Sequence, residues 1–199
     1  MTSLTDATAS FGSLHFGEAQ LGDVRRTRRL VQAADAIVQH PEGTLPQKLP
    51  DPTPLDAFYR LANRKEVTHE AVLEPHRQRT LGLMRQAEGP VLLIHDTTEL
   101  DDTSRTSLTG LGQIGNGHGR GDECHNTLAV HASTRTVLGL ANQILARRDA
   151  VGKGESRPAR RERETRESRL WKRGSEAVGP APEGALWVDI CDRGADIFE

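Results

Sequence analysis

Two aspartates stand just behind two segments of the 199-residue chain that read as strands. Asp96 follows Val91-Leu92-Leu93-Ile94 after His95, and Asp192 follows Ala185-Leu186-Trp187-Val188-Asp189-Ile190 after Cys191. Short continuous apolar runs after a turn signal such as Gly89-Pro90 predict strands buried on both faces. In α/β sheets, ligands sit outside the carboxyl ends of the strands. If these two strands are parallel neighbours, both carboxylates project into one crevice, and two hard oxygen ligands there suit Mg²⁺ or Mn²⁺. The other reading is that each aspartate caps the turn that follows it.

Three further patterns invite chemistry. Gly110-Leu111-Gly112-Gln113-Ile114-Gly115 is a literal GxGxxG and runs on through Gly117, Gly119 and Gly121. A dinucleotide site needs such glycines directly after a strand and opening a helix, and here polar residues precede them and Asn116 to Asp122 starts a helix poorly. The stretch is therefore expected to be a mobile loop near the crevice. His118, Cys124, His125 and His131 lie close in sequence, but their spacing fits no paired zinc-ligand pattern. No serine sits in a nucleophile-elbow context. Arg25, Arg26 and Arg29 lie on one helix and are unrelieved by acids within their own turn, since Asp23 lies before them. Fixed guanidinium forks of this kind clamp phosphates; a merely solvated face is the alternative.

Helical spacing over Leu21–Val38 carries these arginines, with Leu21, Val24, Val31, Ala34 and Val38 able to share a buried face. His40-Pro41 ends that helix. A Pro-rich connector, Pro46 to Pro54, follows, and Thr53-Pro54-Leu55-Asp56 reads as a cap and first turn. Leu55, Phe58 and Leu61 supply the next apolar stripe. Thr68-His69-Glu70 opens another helix, which Pro75 interrupts or restarts and which runs to about Ala87. Beyond the first strand, Thr127–Ala132 and Val137–Leu145 predict two more, joined tightly through Ser133–Thr136. A charged helix over Arg160–Val178 is anchored by Trp171, a fourth strand covers Ala185–Ile190, and Asp196-Ile197-Phe198 opens a last helix. The order predicts an α-helical N-terminal domain followed by an α/β domain.

Composition limits the function. Lys and Arg number 26 against 28 Asp and Glu, a formal net charge of −2, which excludes a histone-like polycation and an acidic disordered tail yet leaves room for a local basic face. No apolar run approaches the roughly 20 residues that span a bilayer, and Met1 to Asp6 lacks the pattern of a signal peptide. Two lone cysteines, Cys124 and Cys191, make no disulfide framework and point to a reducing cytoplasm.

Four segments resemble one family. Phe16 to Leu30 (FGEAQLGDVRRTRRL) resembles the opening of the DNA-binding domain of bacterial insertion-sequence transposases of the Tn-five, cut-and-paste type, and Phe58-Tyr59-Arg60-Leu61-Ala62-Asn63 resembles its next helix. Leu93 to Leu100 (LIHDTTEL) resembles the first catalytic-acid motif of that family, and Cys191 to Ile197 (CDRGADI) the second. The resemblance implies a helical DNA-binding domain at 1–75 and a partial RNase-H-like catalytic core of the DDE class, with a mixed β-sheet, at 76–199. It implies Asp96 and Asp192 as catalytic and metal-binding acids, Arg25, Arg26 and Arg29 as DNA-binding residues, and Mg²⁺ or Mn²⁺ as cofactor. Double-stranded DNA at transposon ends would be the partner, bound by a full-length transposase homodimer away from any membrane.

The family's third acid is a glutamate on a helix well beyond the second aspartate, in a Tyr-Arg-x-x-Glu-type context. Glu199 follows Asp192 too closely to be that residue. The expectation is therefore a C-terminally truncated transposase, inactive alone. The alternative is a non-catalytic DNA-binding fragment that competes or represses at transposon ends.

Overall fold

The structure is a computed structural model that describes residues 9–115, 118–149 and 168–192. The chain divides into two compact units, Met1–Arg79 and Thr80–Glu199.

The first unit is helical. It contains α1 (Phe11–Phe16), α2 (Val24–Gln39), α3 (Leu45–Lys48), α4 (Pro52–Ala62) and the first half of α5 (His69–Gln86). Side-chain caps set the starts. Asp23 accepts from the Arg25 amide at 2.9 Å, Asp51 from the Thr53 amide at 3.0 Å, and Thr68 Oγ1 from the Ala71 amide at 3.2 Å; each satisfies an amide left orphaned in a first turn. The Pro-rich connector is thus not structureless: it holds α3, and α4 starts two residues earlier than Thr53 because Asp51 caps it and Pro52 fits its first turn.

The α2 face also differs from expectation. Val24 is 71% exposed and Val38 47%, while Ala33 and Ala34 are buried. Asp23 fixes the helix start so that Val24 sits in the uncovered first turn. Leu21 belongs to the segment before the cap and packs with Ala19 and Leu61 against Leu30, Val67, Ala71 and Val72. Thr27 Oγ1 donates to the Ala19 carbonyl at 2.7 Å, and the Gly12 amide donates to Asp35 Oδ1 at 2.6 Å, tying α1 and the entry segment to α2. Pro75 lies inside an unbroken α5.

The second unit holds a mixed five-stranded sheet of β1 (Val91–Asp101), β2 (Gly112–Ile114), β3 (Gly119–His131), β4 (Val137–Ala146) and β5 (Trp187–Ile190), with α6 (Ser168–Val178). β1 lies between β3, antiparallel to it, and β5, parallel to it; β2 and β4 pair with the other edge of β3. One sheet face carries Val91, Leu93 and Ala129 and packs with Ala141 against Leu81 and Met84 of α5 and Val178 of α6. On the opposite face Ile94 is 36% exposed, Val188 38% and Ile190 41%.

Two expectations about the strands are corrected. β1 is buried on one face, not both, and it does not stop at Ile94. β3 offers it thirteen residues of antiparallel edge, so the polar tail through Asp101 pairs as far as Gly121. Asp96 therefore lies inside the strand, opposite Asn126, and not at its carboxyl end. The glycine-rich stretch is likewise partly ordered. Gly112–Ile114 pairs with Gly119–Gly121, and a side chain at Gly121 would run into the Leu100 carbonyl. Arg147 donates to the Gly110 carbonyl, and Arg148 pairs with the buried Glu123, fastening this hairpin to the end of β4. The segments expected to be helical at Arg160–Glu167 and Asp196–Phe198 lie outside the described residues.

Candidate functional site

The three arginines singled out by sequence have different environments. Arg26 turns inward: its Nη1 donates to the Leu21 carbonyl at 2.8 Å and lies 3.1 Å from Glu66 Oε2. Arg25 is exposed, but its guanidinium grips Asp23 at 2.7 Å, and that hydrogen bond holds the Asp23 carboxyl down at about 2. The absence of acidic relief expected for this trio is thus corrected for two of them. Asp23 lies within reach of Arg25 because the cap folds back on the first turn, and Glu66 is brought in from the loop after α4. Arg29 is exposed, as is Arg28.

α4 and the residues that follow it add cations that sequence reasoning passed over. Arg25, Arg26 and Arg29 share a depression of about 240 Å³ with Arg60 and Arg64. Beside it runs a groove of about 710 Å³, rimmed by Arg25, Arg28, Arg29 and Lys48 and floored by Ala33, Ala36, Leu49, Pro54 and Phe58. A further hollow on the outer side of α4 is lined by Asp56, Tyr59, Arg60, Asn63 and Arg64. Among the described residues, Arg28, Arg29, Arg60 and Arg64 pair with no carboxylate. Four uncompensated guanidiniums, two on α2, one on α4 and one just beyond the end of α4, form a positive band that suits a phosphate backbone. Arg60 lies in the last turn of α4 and Arg64 just beyond its C-cap Asn63, so no helical spacing joins them in the sequence.

In the second unit, β1 and β5 are parallel neighbours, with Leu92 opposite Val188 and Ile94 opposite Ile190. Asp96 and Asp192 both come two residues after that last pair. Alternation puts Asp96 on the face of Ile94, with Asn126 as its partner across β3. Asp192 is exposed just beyond the end of β5, and it and Asp189 raise the Cys191 thiol, after the larger effect of burial. Thr98 Oγ1 donates to Asp96 Oδ2 at 3.4 Å. Among the described residues no group of three or more His, Cys, Asp or Glu side chains is assembled around a metal position. His118 is exposed, and His131 Nε2 bonds the Glu88 carbonyl at 2.8 Å.

The face of the sheet covered by α6 carries a polar chain that sequence did not disclose. His95 is buried, with Nε2 2.7 Å from Asp189 Oδ1 and Nδ1 3.2 Å from His125 Nε2. His125 Nδ1 lies 2.8 Å from Thr97 Oγ1, Thr127 Oγ1 lies 3.2 Å from His95 Nδ1, and Ser175 of α6 donates to Asp189 Oδ1 at 2.9 Å. The distances suit a relay in which Thr97 donates to His125, His125 to His95 and His95 to Asp189. Burial, then the neighbouring His95, lowers His125 to about 4, which agrees with a neutral ring. Trp171 meets His125 edge-on, with centroids 4.7 Å apart.

The chain thus has a helical unit with an arginine band and a separate α/β unit with a buried polar chain. Residues 9–67 match the family described as transposase DNA-binding. The helical unit is thus similar to a transposase DNA-binding domain, which supports DNA as its partner. That match spans α1 through α4 and ends just before α5. No helix among the described residues is long and apolar enough to cross a membrane.

Proposed function

We propose that this chain acts in cut-and-paste DNA transposition of the Tn-five, DDE type. The helical unit grips duplex DNA at transposon ends through Arg25, Arg28, Arg29, Arg60 and Arg64. The α/β unit is read as an RNase-H-like core that contributes Asp96 and Asp192 as metal-binding carboxylates. The observation that carries the proposal is the coincidence of the transposase DNA-binding match with the uncompensated arginine band on α2, α4 and the residues that follow α4. Arg26 has a different part, holding the entry segment on Leu21.

The donor chemistry of the second unit is compatible with a hard divalent cation. Asp96 within β1 and Asp192 just beyond the end of β5 offer carboxylate oxygens, which suit Mg²⁺ or Mn²⁺. Such an ion, when bound, supplies activation of a water or 3′-hydroxyl and stabilisation of the leaving oxygen in phosphodiester cleavage and strand transfer. The chain's own residues orient the carboxylates: Thr98 donates to Asp96, and the sheet register sets its level relative to Asp192. Assembly as a homodimer on DNA belongs to the same reading.

A second reading is a non-catalytic DNA-binding protein that competes at transposon ends. It is favoured by the arginine band lying wholly within Met1–Arg79. Selection of bound duplexes from a randomised pool, followed by mobility shifts with and without EDTA, tests both. The proposal expects recovery of a defined duplex sequence whose binding survives EDTA and fails when Arg29 and Arg60 are both alanine. Recovery of no preferred sequence, or unchanged binding by that double variant, contradicts it. Separately, Mn²⁺ binding abolished by Asp96→Asn supports the carboxylate site, and its persistence leaves the competitor reading.

A further inference from the structure

We propose that Asp189, gripped by His95 and Ser175, is the positioning residue that fixes β5 beside β1 and thereby sets Asp192 against Asp96. The inference rests on the two-carboxylate reading above. β5 is a weak element on its own terms: it is four residues long, it is an edge strand among the described residues, and Val188, Asp189 and Ile190 are all exposed. Short, exposed edge segments occupy the low-stability end of a fold. Asp192 lies two residues beyond the last pair of the ladder, so any fraying of β5 displaces it directly.

Asp189 counters that fraying from the covered side of the sheet. Its Oδ1 receives His95 Nε2 from β1 at 2.7 Å and Ser175 Oγ from α6 at 2.9 Å, joining three elements at one oxygen. His95 cannot drift. It is backed by His125 and Thr127 of β3, and α6 presses Gly174 so close that an added Cβ would sit 2.7 Å from His125 Nε2 and 3.0 Å from His95 Nδ1. The geometry is that of an outer tether: His95 precedes Asp96 on one strand, Asp189 precedes Asp192 on the other, and a bond on one face of the sheet governs a spacing on the opposite face. Outer partners of metal-binding carboxylates act in this way, through orientation and not by contact.

The test uses the full chain, with Mn²⁺ binding followed by electron paramagnetic resonance and amide hydrogen exchange followed at 188–190. Asp189→Ala is expected to weaken Mn²⁺ binding by about tenfold and to speed exchange in β5, and Asp189→Asn, whose Oδ1 still accepts from His95, to stay within about threefold of the parent. Asn removes the charge as Ala does, so equal weakening by both would overturn the positioning role in favour of simple electrostatics. Unchanged Mn²⁺ affinity in Asp189→Ala would also overturn it, leaving the carboxylate reading intact. A parent chain whose Mn²⁺ signal does not depend on Asp96 overturns that reading and this inference together. Should Asp189→Ala fail to fold, Ser175→Ala removes one of the two bonds, and an intermediate loss of affinity is then the supporting result and no loss the contrary one.

Discussion

The Arg26 guanidinium lies 3.1 Å from the Glu66 carboxylate while donating to the Leu21 carbonyl, and this places it apart from the arginines two and three residues further on. Arg26→Ala should lower the stability of the helical unit by about 1 kcal/mol, chiefly through removal of the bond to Leu21, since the Glu66 pair is partly solvent-screened. Arg29→Ala should leave the urea midpoint unchanged and weaken DNA binding instead. Denaturation and anisotropy on the two variants separate the roles.

Three helices of the first unit were legible in sequence: α2 from its apolar periodicity, α4 from the Leu55, Phe58 and Leu61 spacing, and α5 from the Thr68 cap. The short α1 and α3 were not, and the cap of α4 is Asp51 in place of Thr53. What escaped were features that depend on partners far along the chain. Glu66 reaches Arg26 across 40 positions, and nothing local to the RRTRR run announces it. β1 read as a four-residue buried strand because its apolar run is that short. The long edge that extends it belongs to β3, whose glycine-rich start looked like a loop. The parallel pairing of β1 and β5 was posed as a condition, and the register supplies it. The His95–His125–Asp189 chain was invisible, because those residues come together only through the sheet.

Stability should rise with pH between about 4 and 6.5. His76 and His125 are both lowered to about 4, chiefly by burial, with His15 beside the first and His95 beside the second. Their unfolded values lie near 6.5. Between these limits the unfolded chain binds more protons, so this contribution is fully present above pH 6.5 and is lost as pH falls through 4. Urea midpoints across the window check the sign, and His76→Gln should reduce the slope.

Gly174→Ala pits helix propensity against a clash. Alanine favours the helix by about 1 kcal/mol, but a Cβ 2.7 Å from His125 Nε2 forces α6 away from the sheet. The clash should win, with a net loss of about 1–3 kcal/mol and faster amide exchange along β5. A more stable variant would show that α6 moves away from the histidines without cost.

Salt dependence of DNA affinity addresses the arginine band itself. Every phosphate that an arginine neutralises steepens the slope of log affinity against log salt by about one. Measured by fluorescence anisotropy on one duplex, the variant with Arg28, Arg29, Arg60 and Arg64 all replaced by alanine should bind far more weakly than the parent, and its slope should be shallower by about three to four. A variant with the parent's slope and affinity would contradict the assignment of DNA binding to α2, α4 and the residues that follow α4.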